Sequence, residues 1–189
     1  PANSKISEGK KVEITAEPLD GWEFTGWSGD YSGNENPYVI ASLEKNVSVK
    51  ANFKFIGTDS TLYEGENTKK TNAFVETTPL GFSGAGYVNF DNQVGSSVEF
   101  DVVVGSASEK IMTITYANGA MDERPVSISV NGKVIVESFG FTPTETWETW
   151  ATHDTKVTLA AGINTIVMTS TTENGGPNID KIELSEETQ

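Results

Sequence analysis

Six short runs between Val98 and Met168 alternate apolar and polar residues at a period close to two, and this pattern narrows the fold more than any other feature of the chain. They are Val98–Val104, Ile111–Tyr116, Val126–Val130, Val134–Val136, Val157–Leu159 and Ile163–Met168, all rich in β-branched residues. Successive side chains of a strand point to opposite faces, so a period of two gives each run one face for a core and one for water. Helical periodicity is missing, and Asn131-Gly132 between two runs is the sequence of a two-residue hairpin. The expectation is an all-β protein whose larger part is a β-sandwich of jelly-roll type.

A smaller group of β-runs precedes it. Val12, Ile14 and Ala16 alternate with polar neighbours; Pro18-Leu19-Asp20-Gly21 turns the chain; Trp22, Phe24 and Trp27 mark a second run. Tyr38-Val39-Ile40 and the alternation of Val47, Val49, Ala51 and Phe53 complete four predicted short strands without a helix. The three clustered aromatics are the expected core of this small unit. Ile56-Gly57-Thr58-Asp59-Ser60 is short and polar and reads as the joint, which divides the chain into residues 1–56 and 57–189.

Charge excludes several functions. Lys and Arg number 13 against 27 Asp and Glu, a net charge of −14. About −2 of this falls on residues 1–56 and about −12 on the rest. Such a chain repels phosphate backbones and anionic lipid, so nucleic acid and membrane are not expected partners. No apolar run is long enough to span a bilayer and no targeting segment is visible at the N-terminus, so the sequence reads as a piece of a longer protein. The absence of cysteine removes disulfides, thiolate metal sites and thiol nucleophiles. Abundant hard oxygen donors with no soft ones make calcium the natural structural cation.

Four stretches carry chemistry. Glu64 and Glu66 stand two apart, so in a strand their carboxylates would share a side; a solvated face explains the same spacing. Gly81-Phe82-Ser83-Gly84-Ala85-Gly86-Tyr87 surrounds two aromatics with glycine, and lacks the helix and lysine of a phosphate loop. Tyr87 is then either buried or a stacking surface. Arg124, the sole arginine, precedes Pro125, which favours extended backbone and a fixed direction for a guanidinium fork suited to carboxylate. A surface ion pair with Asp122 or Glu123 is the plainer reading. Trp147 and Trp150, three apart in a stretch read as extended, would face opposite ways, with Trp147 taken as the exposed one, offered to the C–H face of a sugar. Finally, Gly175-Gly176-Pro177 turns into a run carrying Asn178 and Asp180, an amide and a carboxylate.

Two family resemblances follow from these residues. Val12–Ala16, Gly21–Asp30 and Asn46–Phe53 resemble, in order and spacing, the divergent InlB B-repeats of bacterial surface and secreted proteins. This implies a small β-rich spacer, incomplete at its N-terminus, with adhesion as the alternative role. Tyr63–Glu66, Gly81–Val88, Tyr116–Gly119, Arg124-Pro125, Val130–Gly132, Trp147–Trp150, Leu159–Ile166 and Gly176–Asp180 resemble family 35 of the carbohydrate-binding modules, with family 6 as neighbour, over about residues 61–185. That resemblance implies a calcium-containing jelly roll whose loops at one end bind sugar. Carried over by position, Glu64, Glu66 and Asp180 match structural calcium ligands. Tyr87, Arg124, Trp147 and Asn178 match sugar contacts, with Asn118 at the rim, and Asn118 with Asp122 offers a second calcium position. Phe82 departs from a position often held by tyrosine.

The resulting expectation is a non-catalytic, monomeric, calcium-containing module of a secreted bacterial polysaccharide-degrading enzyme. It would bind a polysaccharide or oligosaccharide of the plant cell wall and be joined to a catalytic domain in the parent chain. Arg124 favours a uronic acid; neutral mannan or galactose-containing chains are the alternative ligands. A glycosidase or lyase is disfavoured, since no acid is paired with a nucleophile and His153, the sole histidine, lies in a polar stretch.

Overall fold

The computed structural model describes residues 6–18, 22–55 and 61–186, and the chain divides into two compact units, residues 1–58 and 59–189. The expected joint at 56–60 and most of the Pro18–Gly21 turn lie outside the described residues.

In the first unit, β1 (Val12–Ile14) pairs antiparallel with β3 (Tyr38–Ile40), and β2 (Trp22–Gly29) with β4 (Val49–Phe55). Phe24 stands 5.1 Å from Trp27 and 5.9 Å from Phe53, centroid to centroid, so the aromatic cluster is its core. Trp27 is buried, and its indole N–H donates to the Glu35 carbonyl at 2.8 Å, which satisfies the one polar atom that burial exposes to cost.

The second unit is a sandwich of two antiparallel sheets. One sheet runs in the order β13 (Ala151–Leu159), β10 (Ser108–Ala117), β15 (Asn178–Ser185), β8 (Tyr87–Phe90), β7 (Ala73–Glu76), with β5 (Leu62–Glu64) also on β15. The other runs β12 (Lys133–Phe139), β11 (Val126–Val130), β14 (Gly162–Ser170), β9 (Ser97–Val104), β6 (Lys69–Thr71). Alternation places the core: Val98, Phe100, Val102 and Val104 of β9 and Val126, Ile128 and Val130 of β11 are buried, facing Met112, Ile114, Ile179 and Ile182 of the opposite sheet. Asn131 and Gly132 both take positive φ, 51° and 79°, and join β11 to β12 as the predicted primed hairpin turn.

β15 organises the functional end. Its N-terminal half pairs with β8 and its C-terminal half with β5, and a single 3-10 turn, Gly65–Asn67, follows β5. Against β10 the register runs Thr115↔Lys181 and then Tyr116↔Ile179, which leaves Asp180 as the extra residue of a β-bulge. The bulge shifts the phase of the strand. Ile179 therefore joins Ile182 in the core, while Asn178 and Asp180 leave the sheet as buried polar side chains on the loop end.

Candidate functional site

Two polar centres flank the N-terminal end of β15. The first gathers carboxylates. The Ser83 amide donates to Asp180 Oδ1 at 2.9 Å, and the Ser83 hydroxyl lies 3.0 Å from Asp180 Oδ2 and 3.0 Å from Glu64 Oε2. Ala85 N–H donates to Glu66 Oε1 at 2.7 Å. Gly84 lies between them with φ +66°, and a Cβ there would overlap Glu66 Oε1, so only glycine lets the loop close over the acids. Glu64, Glu66 and Asp180 thus meet around one three-residue loop, as the sequence predicts.

Electrostatically this centre is incomplete. Burial first, then the Glu64 charge, raises the Asp180 carboxyl above its ordinary value. No Lys or Arg among the described residues forms an ion pair with the three acids. Lys70 donates instead to the carbonyls of Glu66 and Thr68. Glu66 Oε2 is buried with no hydrogen-bond partner. An orphaned carboxylate oxygen beside two further hard donors is the chemistry that suits calcium. As placed, the side chains stand at hydrogen-bond spacing around Ser83, and no three acidic or imidazole groups among the described residues converge at metal-ligand spacing.

The second centre is a cleft of about 290 Å³ lined by Glu76, Pro79, Tyr87, Asn89, Asn92, Arg124, Trp147 and Asn178. Arg124 is held by its Nη1, which donates to Asn92 Oδ1 and to the Gly176 carbonyl, both at 3.2 Å. Its guanidinium carbon sits 5.0 Å from the Trp147 ring centroid, a cation–π arrangement. Nε is buried without a partner, and burial lowers the guanidinium's proton affinity. The ion pair with Asp122 or Glu123 that sequence allows does not form. Asn178 is only 4% exposed, yet its amide makes no hydrogen bond among the described residues and faces the cleft.

Tyr87 lies in the cleft wall but is fully buried. Its hydroxyl donates between Glu76 Oε2, at 3.0 Å, and the Thr78 carbonyl. Its ring packs at 5.3 Å against Trp150 and 5.6 Å against Phe82. The stacking alternative is therefore excluded for the ring as it stands. The hydroxyl missing at Phe82 is replaced by an edge contact that braces Tyr87.

Sequence reading errs at two places. Asn118, expected at the rim, is fully buried: its amide nitrogen donates to the carbonyls of Asp122 and Phe141, and its oxygen accepts from Ala120. Every polar atom is committed, so Asn118 shapes the loop before Arg124 and touches no ligand, and it is not free to bind a second calcium. The Thr146–Trp150 stretch is a turn, with Thr149 N–H donating to the Thr146 carbonyl, so the two tryptophans do not lie on opposite strand faces. Both are half-buried; Trp147 lines the cleft, and Trp150 donates its indole N–H to Leu80 O at 3.3 Å. Glu76, Asn89 and Asn92 were not anticipated. Asn89 carries a weak signal as the polar member between Val88 and Phe90 on β8.

Comparisons agree with this geometry. The model for "Carbohydrate binding module (family 6)" matches residues 63–186, and that for "Divergent InlB B-repeat domain" matches residues 1–57. A family 35 carbohydrate-binding module from Clostridium thermocellum superposes with a TM-score of 0.65 at 34% identity, covering 66% of this chain and 96% of that one. The Xyl-CBM35 module, solved in complex with a glucuronic acid containing disaccharide, gives 0.61 at 28% identity, over 68% and 95%. The exo-beta-D-glucosaminidase of Amycolatopsis orientalis is 45% identical over 122 residues, 65% of this chain. The match spans only 12% of that enzyme's length.

Proposed function

The chain belongs, through residues 63–186, to the family 6 carbohydrate-binding modules and is related to family 35, and from that premise we propose that it is a non-catalytic module binding a uronic acid at the cleft. In this reading it serves a larger secreted polysaccharide-degrading enzyme, with the repeat-like unit as spacer. Relatives that carry such a module include a glucosaminidase and a xylanase. One observation carries the ligand class: Arg124 lies over Trp147 with no carboxylate partner, and Nη1 alone donates within the protein. A planar fork left unpaired beside an aromatic face suits a sugar carboxylate. Asn178 and Asn89 would supply amides to the ring hydroxyls.

Glu76 supports a second reading. Its carboxylate lines the same cleft and opposes an anion, which favours neutral mannan or galactan chains. Affinity electrophoresis against uronate polymers, mannan and galactan, with and without chelator, separates the two. Retention on uronates should vanish in Arg124→Ala. Retention on mannan that is indifferent to Arg124→Ala would sink the acidic-sugar reading.

Calcium at Glu64, Glu66 and Asp180 belongs to the same proposal, supported by the donor set and the orphaned Glu66 oxygen. Bound there, the cation would neutralise the three charges and tie β5, the 3-10 turn and β15 to the Phe82–Ala85 loop.

A further inference from the structure

The cleft does not end at Pro79. A second, open depression of about 590 Å³ begins on the far side of that residue, lined by Thr78, Pro79, Leu80, Gly81 and Glu148. Pro79 is the shared ridge. Leu80, at 72% exposure, presents an apolar side chain that nothing in the fold requires to be there.

The trough is firmly built. The Thr78 carbonyl is held by the Tyr87 hydroxyl, and the Leu80 carbonyl accepts the Trp150 indole N–H. At Gly81, with φ +107°, an added Cβ would stand 2.8 Å from Trp150 Cδ1 and 3.3 Å from the Glu148 carbonyl. The Thr78–Gly81 loop therefore seats directly on the turn that carries both tryptophans, and the same turn supplies Trp147 to the cleft and Glu148 to the depression.

Resting on the reading of the cleft as a uronic acid site, we propose that this depression is an adjacent subsite for a second, neutral sugar, so that the preferred ligand is a uronic acid joined to a neutral sugar rather than a polyuronate. Continuity through Pro79 makes the occupant the next residue of the same oligosaccharide. Pro79 and Leu80 offer aliphatic surface to its C–H face, and Glu148 accepts hydrogen bonds from its hydroxyls. Charge decides the class. The only ionic lining group is the Glu148 carboxylate and no cation lines the depression, so a second carboxylate is repelled there.

Calorimetric titration of the full chain with glucuronic acid, digalacturonic acid and a glucuronic acid–xylose disaccharide tests this. The mixed disaccharide should bind roughly fivefold more tightly than the monosaccharide, and digalacturonic acid should show no gain. Leu80→Ser should abolish the gain, and Glu148→Lys should transfer it to digalacturonic acid, with glucuronic acid affinity unchanged in both. Equal affinity for monosaccharide and mixed disaccharide, or a gain that survives both substitutions, overturns the subsite while leaving the cleft reading intact. Failure of all three ligands to bind the wild-type chain overturns both.

Discussion

The guanidinium of Arg124 lies 5.0 Å above the ring of Trp147 while its Nη1 is tied to Asn92 and to the Gly176 carbonyl. This fixes the fork in one plane. A flexible ammonium in its place would keep the charge but lose both the planar donors and the stacking geometry. Arg124→Ala should therefore weaken glucuronic acid binding by ~10- to 100-fold, and Arg124→Lys should recover little of it. Calorimetry on folded protein decides; full rescue by lysine would reduce the role of Arg124 to charge alone.

Asn118 offers the opposite profile. It is buried and its side chain makes three hydrogen bonds to backbone, so Asn118→Ala strands two carbonyls and one amide. The expected loss is about 1–3 kcal/mol of stability, read from urea unfolding. Affinity per folded molecule should fall little. An affinity loss without destabilisation would restore Asn118 as a ligand contact.

Chelation should act on stability at the carboxylate centre. If calcium binds there, free cation at about a hundredfold excess over Kd adds about 2.7 kcal/mol, seen as a higher Tm in calcium than in chelator. Glu64→Gln and Glu66→Gln should lose that increment. Identical melting in calcium and chelator would remove the metal from the proposal.

Alkaline pH should find Tyr87. Burial first, then hydrogen bonding to Glu76, holds its phenol well above the ordinary value near 10. The folded state thus keeps a proton that the unfolded chain releases. The contribution is full below about pH 10 and is lost as pH rises toward the folded value. Unfolding midpoints should fall above about pH 10, and Tyr87→Phe should flatten that decline while costing about 1 kcal/mol at neutral pH through lost hydrogen bonds. An unchanged alkaline slope in Tyr87→Phe would refute this.

The strands were legible because each needs only local information. The alternation of Val98, Phe100, Val102 and Val104 states which face is buried, and Asn131-Gly132 states where the chain reverses. The bulge in β15 is also written in the chain, as the consecutive polar pair Asp180-Lys181 between Ile179 and Ile182, although a uniform period of two hides it.

By itself the sequence determined the all-β class, the sandwich core and the residue types at both polar centres, since side-chain period and turn chemistry act over a few residues. Which of those residues meet was decided only in three dimensions. Asn118 and Arg124 stand six apart in one loop, yet one is consumed by backbone carbonyls and the other is left with free donors. Glu76, Asn89 and Asn92 reach the cleft through the pairing of β7 with β8 and the turn that follows. Hydrogen-bond saturation depends on neighbours distant in sequence, and that is why the tertiary structure alone separates a scaffold amide from a binding one.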